Sequence, residues 1–186
     1  DIKILNLNNY VIEDSIKVEG KPESIVVEGT DLWVAIQMNN DYSDGNKLLK
    51  ISTVSNSISE THEIGKGPTS LTVSNNNVYV ANTYYDANYN AFYGSSKLNV
   101  ISKEIDINYY GSGVVCGGDV LNYNNDIFRS FSGGAAKLGS DLKILEQTKI
   151  GSYDPAQLYS SEIIGDYIYF GITDYSGTNQ VKVVDF

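Results

Sequence analysis

The sequence predicts an all-β fold, a β-propeller built of four-stranded antiparallel blades. The first observation is a recurring Gly/Pro corner: Pro22 and Pro68 lie 46 residues apart, and Pro155 follows 87 residues later, about twice 43. The corresponding corner between Pro68 and Pro155 falls at Gly118, in "VCGGDVLNYNNDIFRS". The second observation is that short segments of period-two alternation follow each corner. The third is that no segment has a helical hydrophobic period. Four strands repeated at this spacing are typical of propeller blades rather than of a β-sandwich.

The blades are assigned in chain order within a single domain of residues 1–186. Residues 1–18 are predicted to be the end of a blade, residues 19–64, 65–110 and 111–150 to be complete blades, and residues 151–186 to be the first three strands of another. In each blade a tight Asn/Gly/Asp turn joins the first strand to a second strand with a central aromatic residue, and a variable loop precedes the third strand. The central aromatic residues are Trp33, Tyr79, Phe128 and Tyr169. The fourth strand of the 111–150 blade is predicted in "KILEQTKI".

The strand count leaves closure of the ring open. The five predicted segments contain, in chain order, two, four, four, four and three strands, which makes 17. A closed ring of four blades needs 16. Three arrangements fit: a fragment of a longer propeller, a dimer of half-rings, or a five-bladed ring with a degenerate blade. An incomplete ring would expose apolar blade faces, so association through them is expected.

The second repeat resembles a known family. "GKGPTSLTVSNNNVYVANTYYD" followed by "SKLNVIS" is similar to the YVTN-type β-propeller repeat of surface-layer-like proteins from bacteria and archaea. The third repeat departs from that pattern, because Arg129 and Ser130 replace its Val-Ala pair. The resemblance implies a ring that commonly has seven blades, of which about four are present here. It also implies a bacterial protein of the cell surface, the periplasm or the exterior.

One face of the predicted propeller is rich in tyrosine. Because blade strands alternate in direction, the loops after the second strands and the corners before the first strands, "EGKP" among them, emerge together. Tyrosine rings with nearby Asn and Asp side chains suit glycan or protein binding, although packing between loops would also account for them. The predicted ligand-binding residues are Tyr42, Tyr84, Tyr85, Tyr89, Phe92, Tyr93, Tyr153 and Tyr175.

Composition excludes several function classes. The formal net charge of −10 opposes binding to nucleic acid, and the apolar runs are too short for membrane insertion. A single histidine, His62, excludes histidine pairs and His-rich metal sites and is the one residue that could serve a Ser-His-Asp triad, and a single cysteine, Cys116, allows no internal disulfide. No cofactor motif is present, so no cofactor is expected.

The loop carboxylates raise two further hypotheses. Asp41, Asp44 and Asp174 are weak candidates for a calcium site, because calcium prefers oxygen ligands but the spacing of a known calcium loop is absent. Acidic pairs on the same face would also suit a hydrolase or lyase that acts on a glycan. The sequence favours a non-catalytic binding or scaffold protein of the bacterial envelope or exterior, with that enzyme as the alternative.

Overall fold

The described part of the chain is built of β-strands and one short 3₁₀ turn. The computed structural model describes residues 1–112, 118–131, 133–152, 157–173, 177 and 179–186. Seventeen strands lie within these residues. The all-β class predicted from the sequence is therefore confirmed.

The strands form five antiparallel sheets that follow one another along the chain, each with its strands in sequential order. The N-terminal pair consists of β1 (Ile2–Leu5) and β2 (Ile12–Ile16). Sheet 1 consists of β3 (Lys21–Glu28), β4 (Asp31–Met38), β5 (Asp44–Ser52) and β6 (Ser57–Glu63). Sheet 2 consists of β7 (Pro68–Ser74), β8 (Asn77–Tyr85), β9 (Ala91–Asn99) and β10 (Ile105–Gly111). Sheet 3 consists of β11 (Val120–Tyr123), β12 (Asp126–Phe131), β13 (Gly134–Lys137) and β14 (Ile150–Gly151). Sheet 4 consists of β15 (Gln157–Ile164), β16 (Tyr167–Thr173) and β17 (Asn179–Asp185).

Turn chemistry explains the tight connections between first and second strands. Asn75 and Asn76 after β7, and Asn124 and Asn125 after β11, all have positive φ. Two-residue hairpin turns of this kind need left-handed backbone at both positions, which Asn tolerates better than most residues. The predicted tight Asn turns are present at both places.

The first strands also share an irregularity. The ladder shifts by one residue between Pro22 and Ser24 in β3 and between Pro68 and Ser70 in β7. A third shift follows Leu158 in β15. A β-bulge increases the local twist of a strand, so these first strands bend in the same way where each sheet begins.

Each pair of neighbouring sheets encloses one hydrophobic cluster. The four clusters place residues of neighbouring sheets together: Ile2 and Val34 share one, Trp33 and Val78 the second, Tyr93 and Phe131 the third, and Phe128 and Phe170 the fourth. Burial of each large apolar side chain contributes roughly 1.5–3 kcal/mol. The first strands β3, β7, β11 and β15 are neighbours in this stack, and residues of all four line a cleft of about 340 Å³.

Sheet 3 departs from the predicted pattern at its fourth strand. Only Ile150–Gly151 pairs as β14, and a 3₁₀ turn occupies Glu146–Thr148. The Thr148 hydroxyl accepts a hydrogen bond from the Lys137 amide, while the Leu145 amide donates to the Lys137 carbonyl. The prediction of a strand over "KILEQTKI" is therefore wrong for most of its length, because a side-chain hydrogen bond replaces part of the ladder.

The two ends of the stack have uncovered apolar surface. Hydrogen bonds join neither β1 nor β2 to β17 among the described residues, so these residues show no closed ring. The N-terminal pair packs on β4 and β5 and leaves Ile25 and Val27 of β3 exposed. On sheet 4, Val181 and Val183 are 70% and 51% exposed. Both end surfaces could therefore contact other protein.

Candidate functional site

A groove lies between the ends of two hairpins, one from sheet 1 and one from sheet 2. The β4–β5 hairpin ends in the turn 39–43, and the β8–β9 hairpin ends in the turn 86–90. The groove has a volume of about 580 Å³. Its lining residues are Met38, Tyr42, Ser43, Asp44, Tyr85, Asp86, Ala87 and Tyr89.

The two turns have the same backbone hydrogen bonds. The Asn39 amide donates to the Ser43 carbonyl and the Tyr42 amide to the Asn39 carbonyl, and the turn that begins at Asp86 repeats both bonds. The tyrosine at the fourth position is left-handed in each turn, with φ of 68° at Tyr42 and 63° at Tyr89. Glycine or asparagine would adopt this conformation with less strain. Two strained tyrosines, 72% and 88% exposed, thus lie beside the same groove.

Carboxylates hold both turns in shape. Asp86 accepts hydrogen bonds from the Asn88 amide at 2.8 Å and from the Asn90 amide and side chain, both at 2.9 Å. These bonds, led by the one from the Asn90 side chain, lower the pKa of Asp86. Asp41 accepts from the Ser43 hydroxyl at 2.6 Å and from its amide at 3.0 Å, which lowers the pKa of Asp41. Both groups stay ionised at neutral pH and preorganise the turns.

Asp44 connects the two sides of the groove. Its carboxylate oxygens accept a shared hydrogen bond from the Tyr85 amide at 3.3 and 3.4 Å. Asp44 begins β5 and Tyr85 ends β8, so this bond joins sheet 1 to sheet 2 at the groove. It holds the backbone of Tyr85 beside the first hairpin.

Lys21 positions the Tyr42 side chain. The Lys21 ammonium lies 3.4 Å from the centre of the Tyr42 ring, a cation–π contact. Hydrogen bonding with Lys21 and its positive charge lower the pKa of Tyr42. Sequence reasoning did not select Lys21, although the "EGKP" corner that contains it was predicted to lie on this face.

The loop that was predicted around Tyr84 to Tyr93 is mostly strand. Tyr84 pairs with Phe92 and Tyr85 with Ala91 in the β8–β9 ladder, which leaves a turn of only five residues. The turn in sheet 1 has the same length. Between the equivalent pairs Trp33–Lys50 and Tyr79–Lys97 the second hairpin is one residue longer, and the extra residue lies in its ladder and not in its turn.

Three of the predicted aromatic residues do not line the groove. The Tyr84 ring stacks on Phe92 at 5.6 Å and meets Tyr109 edge to face at 5.0 Å, and burial raises the pKa of Tyr84. Tyr93 is buried with Phe131 and Ala136 between sheets 2 and 3. This burial corrects the prediction that Tyr93 lies on an exposed loop face, because its strand position directs the side chain into the sheet interface.

The other predicted positions lie away from the groove or outside the described residues. Tyr153, Tyr175, Asp174 and Cys116 lie outside the described residues. Within the described residues, no group of three or more His, Cys, Asp or Glu side chains could hold a metal ion. His62 accepts or donates a 2.9 Å hydrogen bond with Glu60 and packs near Trp33, on strand β6.

The arrangement suits recognition of a polar ligand with flat or apolar faces. Three tyrosines supply rings and hydroxyls, Asp44, Asp86 and Ser43 supply oxygens, and none of the described residues that line the groove is basic. No protein-family model and no curated protein matches this chain. Across the residues with described structure, no helix has the length and hydropathy that a membrane span requires.

Proposed function

We propose that this chain is part of a YVTN-like β-propeller of the bacterial envelope or exterior, and that it binds a glycan or protein without catalysis. The stacked antiparallel sheets and the first strands that meet at one cleft support the propeller. The sequence resemblance of the second repeat supports the family and, through it, the location.

One observation carries the binding role: Tyr42, Tyr85 and Tyr89 line the same groove although 43 residues separate Tyr42 from Tyr85. Two of them occupy strained left-handed positions at the tips of equivalent turns. Turn stability alone would favour Gly or Asn there, but Tyr10 shares this conformation outside the groove, so the common groove and not the strain carries the proposal. Tyrosine offers a flat ring and a hydroxyl at low entropy cost, which suits both sugar rings and protein side chains.

One carboxylate of the groove, Asp86, supports binding over hydrolysis. A general acid for glycan hydrolysis needs a raised pKa, whereas hydrogen bonds lower the pKa of Asp86. A propeller hydrolase or lyase remains the alternative prediction. Turnover of a glycan that is lost in Asp44→Asn, with the fold intact by circular dichroism, would favour that enzyme.

The binding role is tested with a glycan panel and with purified bacterial envelope proteins as probes. For the strongest binder, Tyr89→Ala is expected to raise Kd at least about tenfold, since an aromatic anchor typically contributes more than 1.4 kcal/mol. Isothermal titration calorimetry gives the Kd of each variant.

Tyr10→Ala is the matched control. Tyr10 is also an exposed tyrosine with left-handed backbone, φ 56°, but it lies in the turn between β1 and β2. Its substitution should leave Kd unchanged. An unaltered Kd in Tyr89→Ala, or no binding to any probe, would contradict the proposed function.

A further inference from the structure

The single arginine of the chain is buried between sheets 2 and 3. Arg129 lies on β12 and is fully buried. It directly follows the central aromatic residue of its repeat, as Val34, Val80 and Phe170 do in theirs. Those three apolar side chains are also fully buried in the clusters between sheets. A permanent cation therefore occupies a position that is apolar in the other repeats.

The guanidinium group is poorly satisfied by the protein around it. Arg129 Nη1 reaches the carbonyl oxygens of Asp119 and Ser130 only at 3.5 Å, and its Nε and Nη2 have no hydrogen-bond partner. The Asp119 carboxylate attracts the cation but forms no ion pair with it, and its Oδ2 accepts from the Ser161 amide at 2.8 Å and the Ser161 hydroxyl at 2.7 Å. The cation thus has weak contacts with backbone dipoles and no ion pair with Asp119.

A third unsatisfied atom lies in the same interface. Ser95 Oγ, on β9 of sheet 2, is buried without a hydrogen-bond partner. Tyr110 lies beside both groups: burial raises the pKa of its hydroxyl, whereas Ser95 and the Arg129 charge lower it, and the Ser95 hydroxyl nevertheless does not reach hydrogen-bond geometry. The Tyr110 hydroxyl itself donates to the Leu142 carbonyl at 2.7 Å. Ser95 and Arg129 provide all the buried side-chain polar atoms without a partner in the described residues. Buried groups without a partner are rare in native proteins, and a bound water or ion often satisfies those that occur.

The energetics favour a further negative charge beside Arg129. Arginine stays protonated in proteins, so it cannot escape burial by losing its proton. Burial of an unpaired charge costs several kcal/mol, far more than the same position would cost with Val or Phe. An anion within reach would offset this cost and would also join sheet 2 to sheet 3.

We propose that a small monovalent inorganic anion such as chloride binds between sheets 2 and 3, where Arg129 Nε and Nη2 and the Ser95 hydroxyl donate hydrogen bonds to it. Full burial restricts the ligand to small ions. Three donors and one positive charge match a single negative charge. The site is separate from the tyrosine groove, and its role is to stabilise the interface between the two sheets.

Thermal unfolding at constant ionic strength tests the proposal. Sodium gluconate, whose anion is too bulky for a buried site, is replaced stepwise by sodium chloride. The wild-type Tm should rise saturably, by about 5–10 °C at a hundredfold excess over Kd. In Arg129→Leu, which restores an apolar side chain, Tm should not depend on chloride. Equal wild-type Tm in both salts, or the same chloride dependence in Arg129→Leu, would overturn the proposal.

Two further measurements apply even if Arg129→Leu does not fold. Ser95→Ala should shift the chloride midpoint to higher concentration, whereas Ser96→Ala should not, since Ser96 is equally buried but bonds to Asn82 at 2.9 Å. In crystals grown with sodium bromide, an anomalous peak beside Arg129 Nε and Nη2 is expected. An identical midpoint shift in both serine variants, or no bromide peak at Arg129, would count against the site.

Discussion

At the residue scale, close contact between backbones determines where glycine is required. Gly67 lies in the corner before β7 with φ 57°, and a Cβ there would lie 1.9 Å from the Thr83 carbonyl oxygen. Its amide donates to the Gly45 carbonyl, and its own carbonyl accepts from the Thr83 amide, both at 2.7 Å. The corner thus joins sheet 1 to sheet 2 through main-chain atoms, and any side chain at Gly67 would separate them.

Gly67→Ala is expected to lower the free energy of unfolding by about 3 kcal/mol, since a steric clash adds to the left-handed strain. Gly29→Ala separates the two effects: φ at Gly29 is 59°, but its Cβ would meet nothing within 4 Å. That variant should lose only about 1 kcal/mol. Urea denaturation measures both, and equal losses would mean that the contact with Thr83 is unimportant.

At the element scale, the two hairpins show how far local sequence patterns reach. The Asn and Asp residues of the turns at 39–43 and 86–90 are visible in the sequence as turn formers, whereas the left-handed backbone of Tyr42 and Tyr89 is not. The ladder between Tyr84 and Phe92 is not visible, because a Tyr/Asn-rich segment has no clear alternation and cross-strand pairing adds it to the sheet. Sheet 3 is the opposite case, because hydrogen bonds to Lys137 replace most of the predicted fourth strand.

The turn at 86–90 is expected to loosen in acid. Hydrogen bonds lower the folded-state pKa of Asp86 below its usual 3.8. The stabilisation of the turn by the Asp86 carboxylate is therefore complete above pH 3.8 and disappears as pH falls through the folded-state pKa. Amide exchange at Asn88 and Asn90 should accelerate in that range.

In Asp86→Ala, exchange at these two amides should already be fast at neutral pH and should show no further acid transition beyond the intrinsic pH dependence. The Tyr10 amide, which donates to the Asn6 carbonyl at 2.8 Å in the turn between β1 and β2, is remote from the groove and serves as the reference amide. An unchanged protection of Asn88 and Asn90 in Asp86→Ala would show that the carboxylate does not hold the turn.

At the scale of the whole molecule, the stack of sheets has two unequal ends. The N-terminal pair leaves part of β3 uncovered, and sheet 4 exposes Val181 and Val183. Inside the stack, the equivalent surfaces are covered by the next sheet. Exposed apolar sheet faces of this kind favour association.

We expect the chain to self-associate at concentrations of about 100 μM through these faces, and Val181→Lys with Val183→Lys to weaken association at least tenfold. Val54→Lys is the control, since Val54 is 85% exposed but lies in a turn after β5. Sedimentation velocity measures the association. A wild-type chain that stays monomeric, or equal weakening by the control, would contradict this prediction.

The sequence by itself determined the all-β class, the antiparallel four-stranded sheets and the Asn turns, because alternation and left-handed turn residues act over a few neighbouring positions. Only the tertiary structure decided that Tyr42, Tyr85 and Tyr89 share a groove while Tyr93 is buried. It likewise decided that Arg129 lies between two sheets without an ion pair to Asp119. These outcomes depend on how far a ladder extends and how successive sheets stack, which are set by residues tens of positions apart.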